Sequence, residues 1–293
     1  MKVWVTGASG MVGGNFVNVF KNNGFRVCGS HYSNPLENTV FFDTLDPSNP
    51  DNFDINEFFP DVVVHAGAMT HVDACEEDPE KSYHHTVSSA QNVASLAKKF
   101  NAALVYISSD YIFEGKEGPY SENITPAPVS VYGKHKLEAE NIVRNTTEKH
   151  LILRITNVYG HEVQGKNFVV RLMKNVSKGE SMDLKLPYDQ YATPINARDV
   201  ARAAEKLLSN GKTGVYHLGS TDYMNRVQLA QKVLSYMPGH KATIIPVSTE
   251  KLGQPAPRPL QGGLKPEKFL REFPDFAFSN VDDFIKELQS NTE

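Results

Sequence analysis

Residues 2–14 read K-V-W-V-T-G-A-S-G-M-V-G-G, and this stretch decides the fold. The apolar run Lys2–Thr6 predicts a buried strand, and Val12–Asn22 has the length and mixed polarity of a helix. Between them, glycines recur every third residue from Gly7 to Gly13. Glycine accepts left-handed backbone angles and carries no Cβ, so such a turn lets an anion approach the helix N-terminus. The stretch predicts a phosphate-binding turn at the start of an α/β sheet.

Strand-like apolar runs alternate with helix-like stretches through the first half of the chain. This alternation predicts a parallel, doubly wound sheet with helices on both faces. The unbroken apolar run Val62–His65 is typical of a strand that is buried on both sides. The other predicted elements are the strands Arg26–Cys28, Val40–Phe42, Leu104–Ile107 and Leu151–Ile155 and the helices Pro79–Phe100 and Val129–Asn145.

The glycine turn predicts a bound dinucleotide, because a strand precedes it and a helix follows it. An acidic residue after the second strand normally binds a free ribose 2′-hydroxyl and repels a 2′-phosphate. Residues 28–34 offer hydroxyls, an imidazole and an amide instead, so the sequence favours NADP(H) and leaves NAD(H) open. Asp43 and Thr44 suit either the adenine edge or a simple turn. The predicted cofactor-binding residues of this half are Gly7, Ser9, Gly10, Met11, Val12, Gly13, Ser30, His31, Ser33, Asp43 and Thr44.

Length and charge narrow the function classes. The chain has 293 residues, enough for one α/β domain and a smaller appended unit. A net charge of -4 provides no basic field for a phosphate backbone, so no nucleic acid partner is expected. The apolar runs are far shorter than the ~20 residues of a membrane span, so a cytoplasmic protein without membrane association is expected. The histidines lack the H-x-x-x-H and H-E-x-x-H patterns, so no metal site is predicted.

A smaller C-terminal unit is expected after the strand Leu151–Ile155, where the alternation loosens. Ligands of open α/β sheets bind beyond the carboxyl ends of the strands, so such a unit would complete a cleft. We predict a dinucleotide-binding domain over residues 1–156, with a later return of the chain at roughly 190–218. Residues 157–293 are predicted to be mainly a substrate-binding domain.

Tyr132 and Lys136 lie four residues apart at the start of a predicted helix, so they share one helical face. A free tyrosine titrates near pH ~10, and an adjacent ammonium favours its phenolate, which makes it a better proton carrier. The strand Leu104–Ile107 leads into Ser108 and Ser109, whose hydroxyls emerge at the edge of the sheet that carries the glycine turn. We predict that Ser109 positions and polarises a substrate oxygen, with Ser108 as its competitor. The pattern indicates hydride transfer between a nicotinamide and a carbonyl.

Several stretches resemble the RmlD-like branch of the extended short-chain dehydrogenases, whose namesake is dTDP-4-dehydrorhamnose reductase. They are T-G-A-S-G-M-V-G, H-A-G-A-M-T-H-V-D-A-C-E-E-D-P-E, I-S-S-D-Y-I-F-E-G with P-Y-S-E, V-Y-G-K-H-K-L-E-A-E and D-Q-Y-A-T-P-I-N-A-R-D-V-A. The resemblance spans nearly the whole chain and implies a Ser/Thr-Tyr-Lys triad on Ser109, Tyr132 and Lys136. It further implies cofactor contacts from Ala66, Gly67 and Ala68 and a nucleotide-sugar site that includes Asn167, Phe168, Gln190 and Arg258.

Two positions depart from the rhamnose-forming reductases: Asn157 replaces a sugar-contacting tryptophan, and Ser109 replaces a threonine. The resemblance therefore implies NAD(P)H-dependent reduction of a nucleotide-linked 4-keto-6-deoxy sugar, as in dTDP-rhamnose and polysaccharide biosynthesis, without fixing the sugar. An epimerase or dehydratase with tightly bound NAD is one alternative. Another is a non-catalytic subunit, because R-I-T-N-V-Y-G and A-P-R-P-L are similar to the regulatory β subunit of methionine adenosyltransferase. The oligomeric state is open, with a homodimer as one option.

Overall fold

The computed structural model describes residues 1–290, in which strands and helices alternate as the sequence predicts. The strands are β1 (Lys2–Thr6), β2 (Arg26–His31), β3 (Thr39–Phe41), β4 (Val62–His65), β5 (Ala103–Ser109), β6 (His150–Ile155), β7 (Met182–Pro187), β8 (Tyr191–Ala192), β9 (Gly214–His217), β10 (Met224–Asn225) and β11 (Ala242–Val247). The α-helices are α1 (Met11–Asn22), α2 (Ile55–Phe58), α3 (Val72–Glu77), α4 (Pro79–Tyr83), α5 (Ser89–Lys99), α6 (Val131–Thr146), α7 (Phe168–Val176), α8 (Ala197–Ser209), α9 (Arg226–Ser235), α10 (Thr249–Leu252), α11 (Glu267–Glu272) and α12 (Val281–Ser290). Within residues 1–290, none of these helices has the length and apolarity needed to cross a membrane.

The central sheet has seven strands in the order β3-β2-β1-β4-β5-β6-β9. All neighbouring pairs in it are parallel. From β1 the chain adds β2 and β3 on one side of the sheet, and it then crosses to the other side, where β4, β5, β6 and β9 follow. A topological switch point therefore lies between the carboxyl ends of β1 and β4. The predicted doubly wound α/β fold is confirmed, and its switch point fixes where a ligand cleft opens.

Both faces of the sheet are apolar and covered. Val3 and Val5 of β1 pack with Phe16 and Phe20 of α1 on one face. Trp4 lies on the other face, in a second cluster that includes Val93 of α5. Successive side chains of a strand point to opposite faces, so the apolar centre of β1, residues 3–5, packs against two helix layers at once. The carboxyl ends of the strands therefore rest on a packed platform.

Two predicted helices differ in detail from the observed ones. The helix predicted at Val129–Asn145 begins two residues later, because Ser130 is its N-cap and accepts a hydrogen bond from the backbone N–H of Gly133 at 3.2 Å. The stretch predicted as one helix, Pro79–Phe100, consists of α4 and α5 joined by a π-helical turn at His84–Ser88. Neither difference moves Tyr132 or the face that it presents.

The C-terminal half contributes to two apolar cores. Residues of α7, α9 and α12, such as Val169, Leu229 and Phe284, form a separate cluster beneath the parallel pair β7 and β11. The chain also returns to the central sheet, since β9 pairs with β6 and α8 packs with α1 in one cluster. Sequence reasoning missed α11, whose Phe269 belongs to that same cluster. The division into domains at residue 156 stays a prediction.

Candidate active site

The glycine turn lies at the switch point, between β1 and α1. Gly7 has φ +68°, and a Cβ added there would lie 2.8 Å from the backbone nitrogen of Gly67. A Cβ at Gly13 would lie 2.3 Å from the carbonyl oxygen of Gly7, so neither position tolerates a side chain. Gly10 is the N-cap of α1, and within the described chain no side chain caps that helix end. The free N–H groups of the first helical turn and the absence of Cβ atoms fit a dinucleotide phosphate.

The C-terminal half covers this turn. The side chain of Gln164 donates to the backbone carbonyl of Ser9 at 2.9 Å. Asn167 donates to the sulfur of Met11 at 3.5 Å. Val12 faces the other way and packs against the apolar core of the sheet. Of the residues predicted in the turn, Ser9 and Met11 therefore lie under the loop that precedes α7.

The loop after β4 borders the turn as well. Ala66, Gly67 and Ala68 are half-buried, and the backbone N–H of Ala66 donates to the carbonyl of Thr6 at 3.3 Å. His65 lies beneath them, fully buried, with its Nδ1 2.7 Å from the Thr6 hydroxyl. Burial and the nearby Lys136 ammonium lower the pKa of His65 to about 3, so its imidazole is neutral. A neutral, hydrogen-bonded floor therefore joins β1 and β4 under the cleft.

The residues at the end of β2 and directly after it divide into buried and exposed ones. Ser30 is buried, and its hydroxyl accepts a hydrogen bond from the indole of Trp4 at 3.0 Å. The Nδ1 atom of His31 lies 2.7 Å from the hydroxyl oxygen of Thr39. Ser33 is exposed and accepts from Asn34 at 3.0 Å. His31 and Ser33 are therefore the members of the predicted set with a path to a ribose phosphate, whereas the Ser30 hydroxyl serves the fold.

Asp43 and Thr44 follow β3, on the same edge of the sheet. A carboxylate oxygen of Asp43 accepts from the backbone N–H of Leu45 at 2.8 Å, which is the hydrogen bond of a simple turn. The hydroxyl of Thr44 lies 2.7 Å from that of Ser89. These contacts match the turn-forming role that the sequence left open for Asp43.

Lys136 lies on α6 and faces β5. Its Nζ donates to the carbonyl of Ile107 at 2.9 Å and lies 5.0 Å from the centre of the Tyr106 ring. Burial lowers the pKa of Lys136 from 10.5 to about 8. A buried ammonium held by one carbonyl and one ring face keeps N–H donors for a further acceptor. Lys136 is thus positioned at the carboxyl end of β5, one helical turn from Tyr132.

Tyr132 lies one turn earlier on α6, with 8% of its surface exposed. Burial raises the pKa of Tyr132 well above its usual value, and a hydrogen bond with Ser109 is the main opposing influence. This differs from the expectation that Lys136 lowers that pKa, because desolvation of the phenol is the dominant effect here. A phenol is protonated at neutral pH with or without this rise, so Tyr132 has a proton to donate, and the raised pKa makes it a weaker acid than a free tyrosine.

The two serines at the end of β5 have different surroundings. The hydroxyl of Ser109 donates to a carboxylate oxygen of Asp110 at 3.4 Å and accepts from the backbone N–H of Tyr111 at 3.3 Å. Ser108 is also buried, and its hydroxyl has no hydrogen-bond partner within residues 1–290. Ser109 thus lies close enough to Tyr132 to oppose the rise in its pKa, while Ser108 keeps an unused hydroxyl.

Asp110, which sequence reasoning missed, anchors this end of the sheet. Its carboxylate accepts from the hydroxyl of Thr156 at 2.7 Å and from the backbone N–H of Gly263 at 3.0 Å. Burial raises the pKa of Asp110, and these hydrogen bonds oppose the rise. The only sequence signal was its place directly after Ser109. The contact ties the C-terminal segment to β5 and β6.

Three of the substrate-side candidates are linked to charged side chains. Asn157 follows β6 with φ +39°, and its Oδ1 accepts from Nη2 of Arg226 at 2.9 Å. The same guanidinium lies 5.6 Å from the centre of the Phe168 ring. Arg258 is buried and forms an ion pair with Asp73 at 2.7 Å. Arg226 therefore links two predicted residues, Asn157 and Phe168, although no spacing in the sequence pointed to it.

The two other candidates have visible structural duties. Asn167 is the N-cap of α7, and its side chain donates to the carbonyl of Gly160 at 2.9 Å. The amide of Gln190 donates to Thr249 and to Gln254, each at 2.9 Å. A contact of either residue with a substrate stays a prediction.

Comparison with known proteins fits this geometry. The chain matches the RmlD substrate binding domain family over residues 1–289. It belongs to this family. Among curated relatives, the spore coat polysaccharide biosynthesis protein SpsK of Bacillus subtilis is 31% identical over 259 residues, which cover 88% of this chain and 87% of that protein.

Two further comparisons show proteins of different kinds. Methionine adenosyltransferase 2 subunit beta of Xenopus laevis is 28% identical over 260 residues, covering 87% of this chain and 77% of that protein. The crystal structure of dTDP-4-dehydrorhamnose reductase from Bacillus anthracis in complex with NADP has a TM-score of 0.86 at 27% identity. That match covers 98% of this chain and 97% of the other. This chain is thus similar both to a reductase and to a subunit of a different enzyme.

Proposed function

We propose that this RmlD-type protein is an NAD(P)H-dependent oxidoreductase that reduces a nucleotide-linked 4-keto-6-deoxy sugar. One observation carries the proposal: Tyr132 and Lys136 are both buried on α6, and Lys136 is held at the end of β5, where Ser109 lies close enough to influence the pKa of the phenol. The glycine turn follows β1 at the same edge of the sheet. A proton donor and a phosphate-binding turn on one edge are the parts that carbonyl reduction requires.

In this mechanism the chain handles the proton and the geometry. A bound reduced nicotinamide supplies the hydride. The Ser109 hydroxyl donates a hydrogen bond to the substrate oxygen, and Tyr132, whose phenol is protonated at neutral pH, gives its proton to that oxygen. Lys136 holds its remaining N–H donors toward the cleft, where a cofactor ribose hydroxyl is the expected acceptor.

NADP is the proposed cofactor, with NAD as the alternative. The B. anthracis reductase is described in complex with NADP. In this chain, residues 30–34 after β2 contain no carboxylate that would repel a ribose 2′-phosphate. The exposed hydroxyl of Ser33 and the half-buried imidazole of His31 are the proposed contacts. A nucleotide sugar is the proposed small-molecule partner, with polysaccharide biosynthesis as the setting, as the name of SpsK suggests.

Oxidation of NADPH, followed at 340 nm, tests the proposal directly. The substrates are dTDP-4-keto-6-deoxyglucose and a panel of related nucleotide keto sugars, each tested with NADPH and NADH. Turnover that requires Tyr132 supports the proposal. Wild-type protein that binds NADPH yet turns over no member of the panel contradicts it.

A second candidate function is regulation of a partner enzyme without catalysis. The observation that favours it is the 28% identity with methionine adenosyltransferase 2 subunit beta over 87% of this chain. A stable complex with a methionine adenosyltransferase, whose formation is unchanged by Tyr132→Phe, supports this reading. Turnover of a keto sugar by the isolated chain argues against it.

A further inference from the structure

Two guanidinium groups on the proposed substrate side of the cleft, those of Arg226 and Arg258, have few anionic partners. Arg258 has 7% of its side chain exposed, and only its Nη2 is paired, with Asp73 at 2.7 Å. Its Nη1 is buried and has no hydrogen-bond partner within residues 1–290. A buried donor of a charged group without a partner is costly and indicates a missing acceptor.

Arg226, the first residue of α9, has a neutral partner. Its Nη2 donates to the Oδ1 of Asn157 at 2.9 Å, and no carboxylate lies within ion-pair distance of it in the described part of the chain. Burial lowers the pKa of Arg226; Tyr111 and Asp110 raise it, and Arg171 and Arg258 lower it. A guanidinium stays charged under such conditions, so this side of the cleft carries positive charge without a matching anion.

The position of Arg226 places this charge next to the reacting centre. Asn157 directly follows Thr156, whose hydroxyl is bound to Asp110 at the end of β5. The positive charges of Arg226 and Arg258 each lower the pKa of Tyr111, and they oppose the rise that burial causes. The ring of Tyr111 lies edge-on to that of Tyr132, with 5.5 Å between their centres. Both guanidiniums therefore act electrostatically on a ring that packs against the proton donor.

The backbone of Asn157 is adapted to this contact. Its φ of +39° is in the left-handed region, which non-glycine residues rarely adopt and which asparagine tolerates best. That conformation costs free energy, so it persists because the surroundings hold it. The hydrogen bond to Arg226 is the contact that the Asn157 side chain makes from this conformation.

We propose that Arg226, oriented by Asn157 and assisted by Nη1 of Arg258, is a specificity-determining residue that binds an oxyanion of the substrate. The inference rests on the proposed function, because it takes the substrate to be a nucleotide sugar. The proposed 4-keto-6-deoxy sugar offers the phosphate next to the sugar, because its C6 is a methyl group. A carboxylate on the sugar ring would come from a uronate, and its recognition would replace the 6-deoxy sugar as the substrate. Two charge-assisted N–H donors on a planar guanidinium suit either group.

The test is calorimetric binding of four probes, dTDP, UDP, UDP-glucose and UDP-glucuronate, to the full chain. The variants are Arg226→Gln, Arg226→Lys and Asn157→Ala. Arg171→Gln is the matched control, because Arg171 is exposed and contributes to the same local field. Binding of NADPH, measured in parallel, shows that each variant is folded.

If the phosphate is the oxyanion, Arg226→Gln weakens dTDP or UDP binding by about tenfold or more, and Arg226→Lys by less. Asn157→Ala weakens it by a few-fold, because it frees Arg226 without removing charge, and Arg171→Gln changes it by less than about twofold. If the carboxylate is the oxyanion, Arg226→Gln spares the diphosphates and abolishes a preference for UDP-glucuronate over UDP-glucose.

Unchanged affinity of Arg226→Gln for all four probes, with the wild type binding at least one, overturns the inference and leaves the proposed function standing. A wild-type chain that binds NADPH but none of the probes overturns both.

Discussion

The two sides of the cleft are built in different ways. The cofactor side is the carboxyl edge of β1 and β4, where short contiguous motifs supply the turn and packed strands hold it. The proposed substrate side includes Asn157, Arg226 and Arg258, which are far apart in sequence; Arg226 contacts Asn157, and the charge of Arg258 acts on Arg226. The cofactor side is therefore fixed by backbone geometry, and the substrate side by side-chain contacts that substitution can retune. One fold can thus keep one cofactor and change its substrate.

The largest effect is expected at the proton donor, which lies between the two sides. Tyr132→Phe keeps the buried ring and its edge-on contact with Tyr111 but removes the transferable proton. We expect kcat to fall by about 10²- to 10⁴-fold in steady-state assays, with NADPH affinity changed by less than about threefold. Retained turnover in this variant would show that a group other than the Tyr132 hydroxyl supplies the proton.

Lys136 tests the electrostatics of the cofactor side. Its pKa is lowered by burial from 10.5 to about 8, so between these values the unfolded chain binds more protons than the folded one. The free energy of unfolding therefore rises with pH across this window, and the full penalty of the buried ammonium applies below about pH 8. Relative to Lys136→Met, the wild type should gain up to about 3 kcal/mol.

Urea unfolding of both proteins at intervals from pH 7 to pH 10.5 measures this difference. The Lys136→Met protein lacks the titrating group and serves as the baseline. Two stability curves that run parallel over the whole range would mean that the Lys136 ammonium is not desolvated.

Gly13 tests whether backbone geometry alone fixes the cofactor side. A Cβ at Gly13 would lie 2.3 Å from the carbonyl oxygen of Gly7, whereas at the neighbouring Gly14 the nearest atom is the Ala8 oxygen at 3.3 Å. We expect Gly13→Ala to destabilise the fold by about 1 to 3 kcal/mol and to weaken NADPH binding. Gly14→Ala is the control, with less than about 1 kcal/mol of change, because its contact is milder and alanine favours a helix. Equal effects of the two substitutions would contradict the tight turn.

Gln190 carries the smallest expected effect and lies on the substrate side. Its amide holds Thr249 and Gln254, so Gln190→Ala loosens this part of the wall without removing charge. We expect KM for the nucleotide sugar to rise by about fivefold with kcat unchanged, as for a lost contact of about 1 kcal/mol. A fall in kcat without a change in KM would place Gln190 closer to the chemistry than the structure does.

The same contrast explains what the sequence could predict. The sheet, the glycine turn and the pair Tyr132 and Lys136 were readable, because each lies within one element and follows that element's period. Arg226 was not readable, since its contact with Asn157 spans 69 positions and no periodicity links them. Asp110 directly follows Ser109 in the sequence, but its role depends on a hydrogen bond from the backbone N–H of Gly263, which only the fold brings close.

The burial of Tyr132 could not be predicted from the sequence for a related reason. The sequence shows a lysine on the same helical face and suggests a lowered tyrosine pKa in the presence of the nicotinamide. The degree of burial, which raises that pKa in the chain alone, depends on packing that includes the ring of Tyr111. Spacing identifies which groups meet, and packing decides how much water remains between them.

Deuteride transfer tests the central claim most directly. Purified chain is incubated with dTDP-4-keto-6-deoxyglucose or its epimers and NADPH deuterated at the transferable C4 position, and the sugar product is analysed by mass spectrometry. We expect a product that carries one deuterium in place of one hydrogen and is therefore one mass unit heavier than the hydroxy sugar formed with ordinary NADPH. Tyr132→Phe should yield no such product. Unlabelled substrate recovered intact from wild-type protein that binds both ligands would contradict it.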